Sequence, residues 1–211
     1  GPAAEEREAA KAVAALVSAG LRRKAAEAGP LIATFEQENS ISLSPQQREA
    51  ASRILGDKIL IVTGGPGTGK TTLLKAALAI ASACGRRPLL CAPTGRAARR
   101  ITEATGAEAR TIHRLLEYSP QKGGFLRGKG NPLPCDFLIV DEASMIDVTL
   151  FRQLLDAVPA ACQLLLVGDK DQLPSVGPGN VLGDLISSGE IPVVYLTEVF
   201  RQAEKSAITV N

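Results

Sequence analysis

One octapeptide restricts the possible folds of this chain more than any other feature: Gly64-Gly65-Pro66-Gly67-Thr68-Gly69-Lys70-Thr71. It matches the Walker A pattern G-x-x-x-x-G-K-[ST], follows directly on the apolar run at 59–63, and leads directly into a helical pattern at 70–83. That strand–loop–helix context is what the pattern needs. Glycines let the backbone turn tightly and aim successive N–H groups inward, and the N-terminus of the helix adds about half a positive charge. Such a loop holds phosphate groups. Lys70 is placed to reach the outer phosphates and the Thr71 hydroxyl to ligate Mg²⁺. Gly65, Pro66, Gly67, Thr68, Gly69, Lys70, Thr71 and Thr72 are the candidate nucleotide-binding residues.

The rest of the chain fits a sheet that would present such a loop. Apolar runs of strand length at 59–63, 88–91, 137–140, 164–167 and 193–196 alternate with helical patterns at 45–55, 70–83, 96–104, 111–117, 148–157 and 180–187. Strands that are apolar throughout are buried on both faces. Alternation with helices then predicts a mostly parallel sheet sandwiched by helices, an α/β fold with right-handed crossovers. Hydrophobic residues make up 45% of the 211, enough for a sizeable core, and aromatics only 3%, so that core is aliphatic and alanine-rich. Residues 1–40 are rich in Ala, Glu, Lys and Arg, carry no recognisable chemistry, and read as short helices punctuated by Gly20 and by Gly29-Pro30. They are expected to be a helical appendage or the end of an upstream domain, with the α/β domain at 41–211. Residues 118–134, with four glycines and Lys122, Arg127 and Lys129, break the rhythm as an exposed basic loop or small hairpin.

A second chemical element follows the third strand pattern. Phe137-Leu138-Ile139-Val140 ends in Asp141-Glu142. A carboxylate at the C-terminal end of a parallel strand stands where the ligand crevice of such sheets opens. Asp141 would hold Mg²⁺, and Glu142 would orient or deprotonate an attacking water.

Net charge is +2, so bulk charge does not point to nucleic acid, but its distribution is uneven. Between Arg86 and Arg114 there are seven arginines and only two acids, Glu103 and Glu108, which describes either an anion-facing surface or a solvated helix face. Cys84, Cys91, Cys135 and Cys162 show no metal-binding spacing and read as reduced core thiols of a cytoplasmic protein. No run approaches the ~18 apolar residues of a membrane span.

Four further segments separate the P-loop families. Leu166-Val167-Gly168-Asp169-Lys170-Asp171-Gln172-Leu173-Pro174 is similar to motif III of superfamily 1 helicases, Ala92-Pro93-Thr94-Gly95-Arg96-Ala97-Ala98 to motif Ia, Thr111-Ile112-His113-Arg114-Leu115-Leu116 to motif Ib, and Val199-Phe200-Arg201-Gln202 to the [FY]-R-Q element of RecD-like proteins. With the Walker elements, these occur in the family's order over roughly residues 41–205. The chain thus resembles the first RecA-like motor domain of a superfamily 1 DNA helicase of the RecD family.

The resemblance implies ATP and Mg²⁺ as cofactors and single-stranded DNA as partner, with recombination or repair as the setting. By the same resemblance Gln172 senses the γ-phosphate, Arg201 contacts it as a charge-stabilising group, and Thr94, Arg96, Thr111 and His113 lie along the DNA. Leu43-Ser44-Pro45-Gln46-Gln47 is similar to the Q motif, in which Gln47 reads the adenine edge. The same residues also spell a capping box, Ser44 with Gln47 three positions on and Pro45 first in the helix, and one glutamine cannot do both jobs at once. Motors of this superfamily bind ATP between two such domains. The chain is therefore expected to be the first of the two, binding ATP–Mg²⁺ and hydrolysing it slowly without unwinding DNA alone, its parent moving 5′→3′. The alternatives are another P-loop ATPase, of AAA+ type or a conjugative relaxase-helicase, and a degenerate motor domain acting as a scaffold.

Overall fold

The computed structural model describes residues 1–21, 27–172, 177 and 179–199. In chain order its elements are α1 (Pro2–Ala19), α2 (Ala28–Asn39), α3 (Pro45–Arg53), β1 (Ile59–Gly64), α4 (Lys70–Ala83), β2 (Pro88–Ala92), α5 (Gly95–Thr105), β3 (Ala109–Thr111) and α6 (Ile112–Leu115). There follow β4 (Tyr118–Ser119), β5 (Gly124–Phe125), β6 (Phe137–Val140), a 3₁₀ turn at Ala143–Met145, α7 (Val148–Ala157), β7 (Gln163–Gly168), α8 (Val181–Ser188) and β8 (Val193–Leu196).

Among the described residues six strands form one parallel sheet in the order β3-β2-β6-β7-β1-β8. Every residue of β1, β6 and β7 is buried. Their side chains alternate between the two faces, as a period of two requires. Ile59, Ile61, Leu138, Val140, Leu164 and Leu166 join one apolar cluster, with Phe151 and Leu154 of α7 and Leu182 of α8. Leu60, Val62, Phe137, Ile139, Leu165 and Val167 join the other, with Leu73, Leu74 and Ile80 of α4 and Ile101 of α5. The continuous apolar runs therefore mean what they were expected to mean: strands covered on both sides.

The chain moves outward from β1 to β2 and β3, returns through β6 and β7, and crosses β1 to place β8 beyond it. In such sheets ligands bind outside the carboxyl ends of the strands, where the order reverses. Both β1 and β7 deliver their C-terminal residues to that place.

Three local expectations differ from the structure. A sixth sheet strand, β3, lies at the edge; its Ala-Arg-Thr sequence has no apolar run, because an edge strand is covered by one neighbour only. The helix expected at 111–117 is one turn, Ile112–Leu115, and the chain reverses at Glu117 with φ +56°. Gly29-Pro30 does not separate helices: it sits in the first turn of α2, where the missing proline N–H has no intrahelical acceptor to lose.

Residues 1–40 supply cover to both faces. Ala9, Val13 and Leu16 of α1 pack with the α7 side, and Ile32 and Phe35 of α2 pack with the α4 side. Residues 118–134 contain an antiparallel hairpin, Tyr118 opposite Phe125 and Ser119 opposite Gly124. Among the described residues no helix is long and apolar enough to cross a membrane.

Candidate nucleotide site and nucleic-acid face

β1 ends at Gly64, opposite Leu196 of β8. A Cβ there would lie 2.5 Å from Thr68 Oγ1 and 2.9 Å from Leu196 Cβ, so only glycine lets the loop leave the strand at this angle. Gly67 and Gly69 have φ of +76° and +87°, the left-handed region that glycine enters without cost. The Thr68 hydroxyl donates to Gly65 O at 2.7 Å and closes the loop on itself. Gly69 is the N-cap of α4, so Lys70, Thr71 and Thr72 form that helix's first turn, with its free N–H groups and the positive end of its dipole. Lys70 makes no ion pair within 4.0 Å among the described residues, leaving its ammonium available to an anion.

Gln47 reaches this loop from α3. Its side-chain N–H donates to Gly69 O at 3.1 Å, and its carbonyl oxygen accepts the Ser44 N–H at 2.8 Å. The Ser44 hydroxyl accepts the Gln47 backbone N–H at 3.1 Å, completing the capping box. Gln47 is 0% exposed. Each end of its amide thus bonds one protein group, and the fully buried side chain presents no surface to an adenine in this structure. Its neighbour Gln46 is bound as firmly, donating to Thr197 Oγ1 and accepting from Thr197 N, each at 2.8 Å. That ties the start of α3 to the segment after β8.

The acidic pair stands beside the loop. β6 lies next to β2, and Asp141 N–H continues their ladder by donating to Cys91 O at 2.9 Å. Glu142 then turns with φ +51°, uncommon for a residue with a side chain, and starts the 3₁₀ turn. Burial, reinforced by the Glu142 charge, raises the Asp141 carboxyl above its ordinary range. A hydrogen bond from the Glu142 backbone and the charges of Lys70 and Arg100 oppose that rise without reversing it. Lys70 is thus close enough to favour the Asp141 carboxylate. Glu142 Oε1 lies 3.6 Å from Arg100 Nη1. Among the described residues no cluster of three or more His, Cys, Asp or Glu side chains stands ready to hold a metal. A threonine hydroxyl, one carboxylate and phosphate oxygens are instead the hard oxygen donors that suit Mg²⁺ with retained water.

β7 brings in the remaining polar residues. Thr63 of β1 accepts the Lys170 N–H at 3.0 Å, and Asp169 accepts the Asp171 N–H at 3.0 Å. Gln172, exposed, accepts a hydrogen bond from the Ser144 hydroxyl at 3.3 Å, which joins the turn after β7 to the turn after β6. Leu173, Pro174 and Arg201 lie outside the described residues.

The residues expected along nucleic acid share the same edge of the sheet. Thr94 follows β2, and Thr111 ends β3 opposite Ala92. Both cap helices: the Thr94 hydroxyl accepts Ala97 N–H at 3.2 Å, and the Thr111 hydroxyl accepts Arg114 N–H at 3.1 Å. Each O–H remains a donor. Arg96 is exposed in the first turn of α5. His113 is exposed and packs against the hairpin, its ring 5.5 Å from Phe125 and 6.2 Å from Tyr118. The aromatic trio accounts for a lone histidine at this position without reference to a ligand.

Sequence reasoning missed Arg100, Ser144 and Gln46. Arg100 was visible only as one of seven arginines; its spacing of four from Arg96 was the available signal. Ser144 and Gln46 act through contacts between distant segments and left no pattern.

Fold and site together define a RecA-like P-loop nucleotide-binding domain. The family profile described as "AAA domain" matches residues 47–178, and the chain belongs to that family. It is 48% identical over 166 residues to the ATP-dependent RecD2 DNA helicase of Deinococcus radiodurans, covering 79% of this chain and 23% of that protein. It is 42% identical over 165 residues to the RecBCD enzyme subunit RecD of Mycolicibacterium smegmatis, covering 67% of this chain and 30% of the relative. The chain thus spans less than a third of the length of either. The Bacteroides Pif1 helicase solved with ADP-AlF3 and ssDNA superposes with a TM-score of 0.51 at 26% identity, over 81% of this chain and 45% of that one.

Proposed function

We propose that the chain is the first motor domain, residues 41–211, of a RecD-like DNA helicase, with residues 1–40 as its helical appendage. In this reading it binds and hydrolyses ATP with Mg²⁺ and tracks single-stranded DNA in the cytoplasm. The observation that carries the reading is an ammonium without an ion-pair partner among the described residues, at the N-terminus of α4, close enough to influence the Asp141 carboxyl of the acidic pair that ends β6, two places from β1 in the sheet.

Lys70 donates to the β- and γ-phosphate oxygens, and the N–H groups of the loop from Gly65 to Thr72 cradle them. Thr71 and Asp141 hold Mg²⁺, which neutralises phosphate charge. Glu142 orients the attacking water and accepts its proton. Gln172, bonded to Ser144, senses the γ-phosphate, and Arg201 stabilises the charge that develops on it. Thr94, Arg96, Thr111 and His113 meet DNA phosphates, which position a strand without reading its bases. Translocation 5′→3′, work with other recombination subunits and a second motor domain belong to the parent protein by likeness to its relatives.

The test is ATP hydrolysis by this chain with Mg²⁺, with and without a dT oligonucleotide. Slow, Mg²⁺-dependent turnover that single-stranded DNA raises, without strand separation, is expected. Turnover indifferent to DNA favours a different P-loop ATPase, no nucleotide binding favours a scaffold, and robust unwinding by this chain contradicts the one-domain reading.

A further inference from the structure

Glu142 has a charged partner that no motif assigns. Arg100 Nη1 lies 3.6 Å from Glu142 Oε1. The contact follows from the topology. Cys91 opposes Val140 across β2 and β6, so the turn that opens α5 and the acidic pair leave the sheet side by side. Arg100 is four residues beyond Arg96, on the same face of α5 and about 6 Å further along its axis. Ala97, Ala98 and Ile101 take the buried face. One exposed stripe therefore runs from the Thr94–Arg96 turn to the residue that touches Glu142.

The two partners are unequally placed. The Arg100 side chain is 65% exposed and that of Glu142 22%. An ion pair with so exposed a guanidinium is weak, and at 3.6 Å it lacks the close fork of a bidentate contact. A phosphodiester on the stripe would offer the guanidinium a geometry it matches better. We propose that Arg100 is a positioning residue: it restrains Glu142 until a nucleic-acid phosphate draws the guanidinium away, so that occupancy of the α5 stripe is relayed to the general base. The relay rests on the reading of Glu142 as base and of the α5 N-terminus as part of the DNA track. It is a competition for one cation and is reciprocal by linkage.

A double-mutant cycle on the 211-residue chain reads that competition without turnover. The Kd of a fluorescent dT oligonucleotide is measured by anisotropy at one fixed low salt, without nucleotide, for wild type, Glu142→Gln, Arg100→Ala and the double variant. Glu142→Gln removes the competing charge and keeps its shape. It is expected to tighten binding about two- to fivefold, the size of freeing one exposed ion pair, and to have no such effect beside Arg100→Ala. Arg100→Lys keeps the cation and retains part of the coupling, which a purely packing role would not predict. In a companion ATPase assay Arg100→Ala raises DNA-independent kcat by a similar factor, so the stimulation ratio falls. Equal Glu142→Gln effects in both backgrounds overturn the proposal, as does a DNA-independent kcat that drops in Arg100→Ala. If wild type binds no oligonucleotide, the DNA-track reading falls with it; salt-sensitive binding with a flat cycle removes the relay alone.

Discussion

Gln47 shows how a single buried side chain can tie the nucleotide loop to the helix beside it. It closes the capping box of α3 and donates to Gly69 O, the last carbonyl before α4. Replacing it by Leu leaves the Ser44 N–H without an acceptor, while the Gly69 carbonyl keeps the Leu73 N–H, and a buried unsatisfied polar group costs about 1–3 kcal/mol. Gln47→Leu is expected to lower unfolding stability by that amount in urea titrations and to weaken ATP and GTP binding alike. If Gln47 instead reads adenine, the variant will lose its preference for ATP over GTP with little change in stability. Glu142 is informative in another way. Its positive φ is a conformation that few residues with side chains adopt, and it falls at the residue proposed to orient the attacking water.

At the scale of elements, the strands were the most legible. Ile59–Gly64, Phe137–Val140 and Gln163–Gly168 are buried on both faces, and short runs this apolar need such cover to stay out of water. The Walker loop was equally plain, because glycines, lysine and threonine must stand at fixed offsets. Less was visible where structure depends on remote contacts. Edge strand β3 has a polar, short sequence, and the Arg100–Glu142 contact depends on which strands are neighbours. Helix α1 is a case between the two. Its periodic Ala9, Val13 and Leu16 could be seen, but not that they would pack on α7. Leu16 is 6% exposed, and Leu16→Ala is expected to cost about 2–4 kcal/mol in cooperative unfolding. Unchanged stability would show that α1 is detached from the domain's core.

For the whole molecule, the sheet gathers turns after β1, β2, β3, β6 and β7 at one edge, so that nucleotide loop, acidic pair and α5 stripe adjoin. Net charge of +2 gives little general attraction for DNA; affinity has to come from local contacts to phosphates. Binding of a dT oligonucleotide is therefore expected to weaken as salt rises, with a log–log slope of about −0.7 per phosphate neutralised. Arg96→Ala should make that slope shallower by about one contact and lower affinity for all base sequences alike. Affinity that does not change with salt would contradict binding through phosphate contacts.

The central claim is that Lys70 and the Asp141–Glu142 pair grip and hydrolyse a magnesium-bound triphosphate from one end of a parallel sheet. It is tested most directly by measuring ATP–Mg²⁺ binding calorimetrically, and phosphate release in parallel, for wild type, Lys70→Ala and Glu142→Gln. Loss of a charge-assisted contact should weaken binding by Lys70→Ala about 10- to 100-fold. Glu142→Gln should bind like wild type and lose turnover about 10²- to 10⁴-fold. Undiminished binding by Lys70→Ala, or unchanged turnover by Glu142→Gln, would contradict the claim.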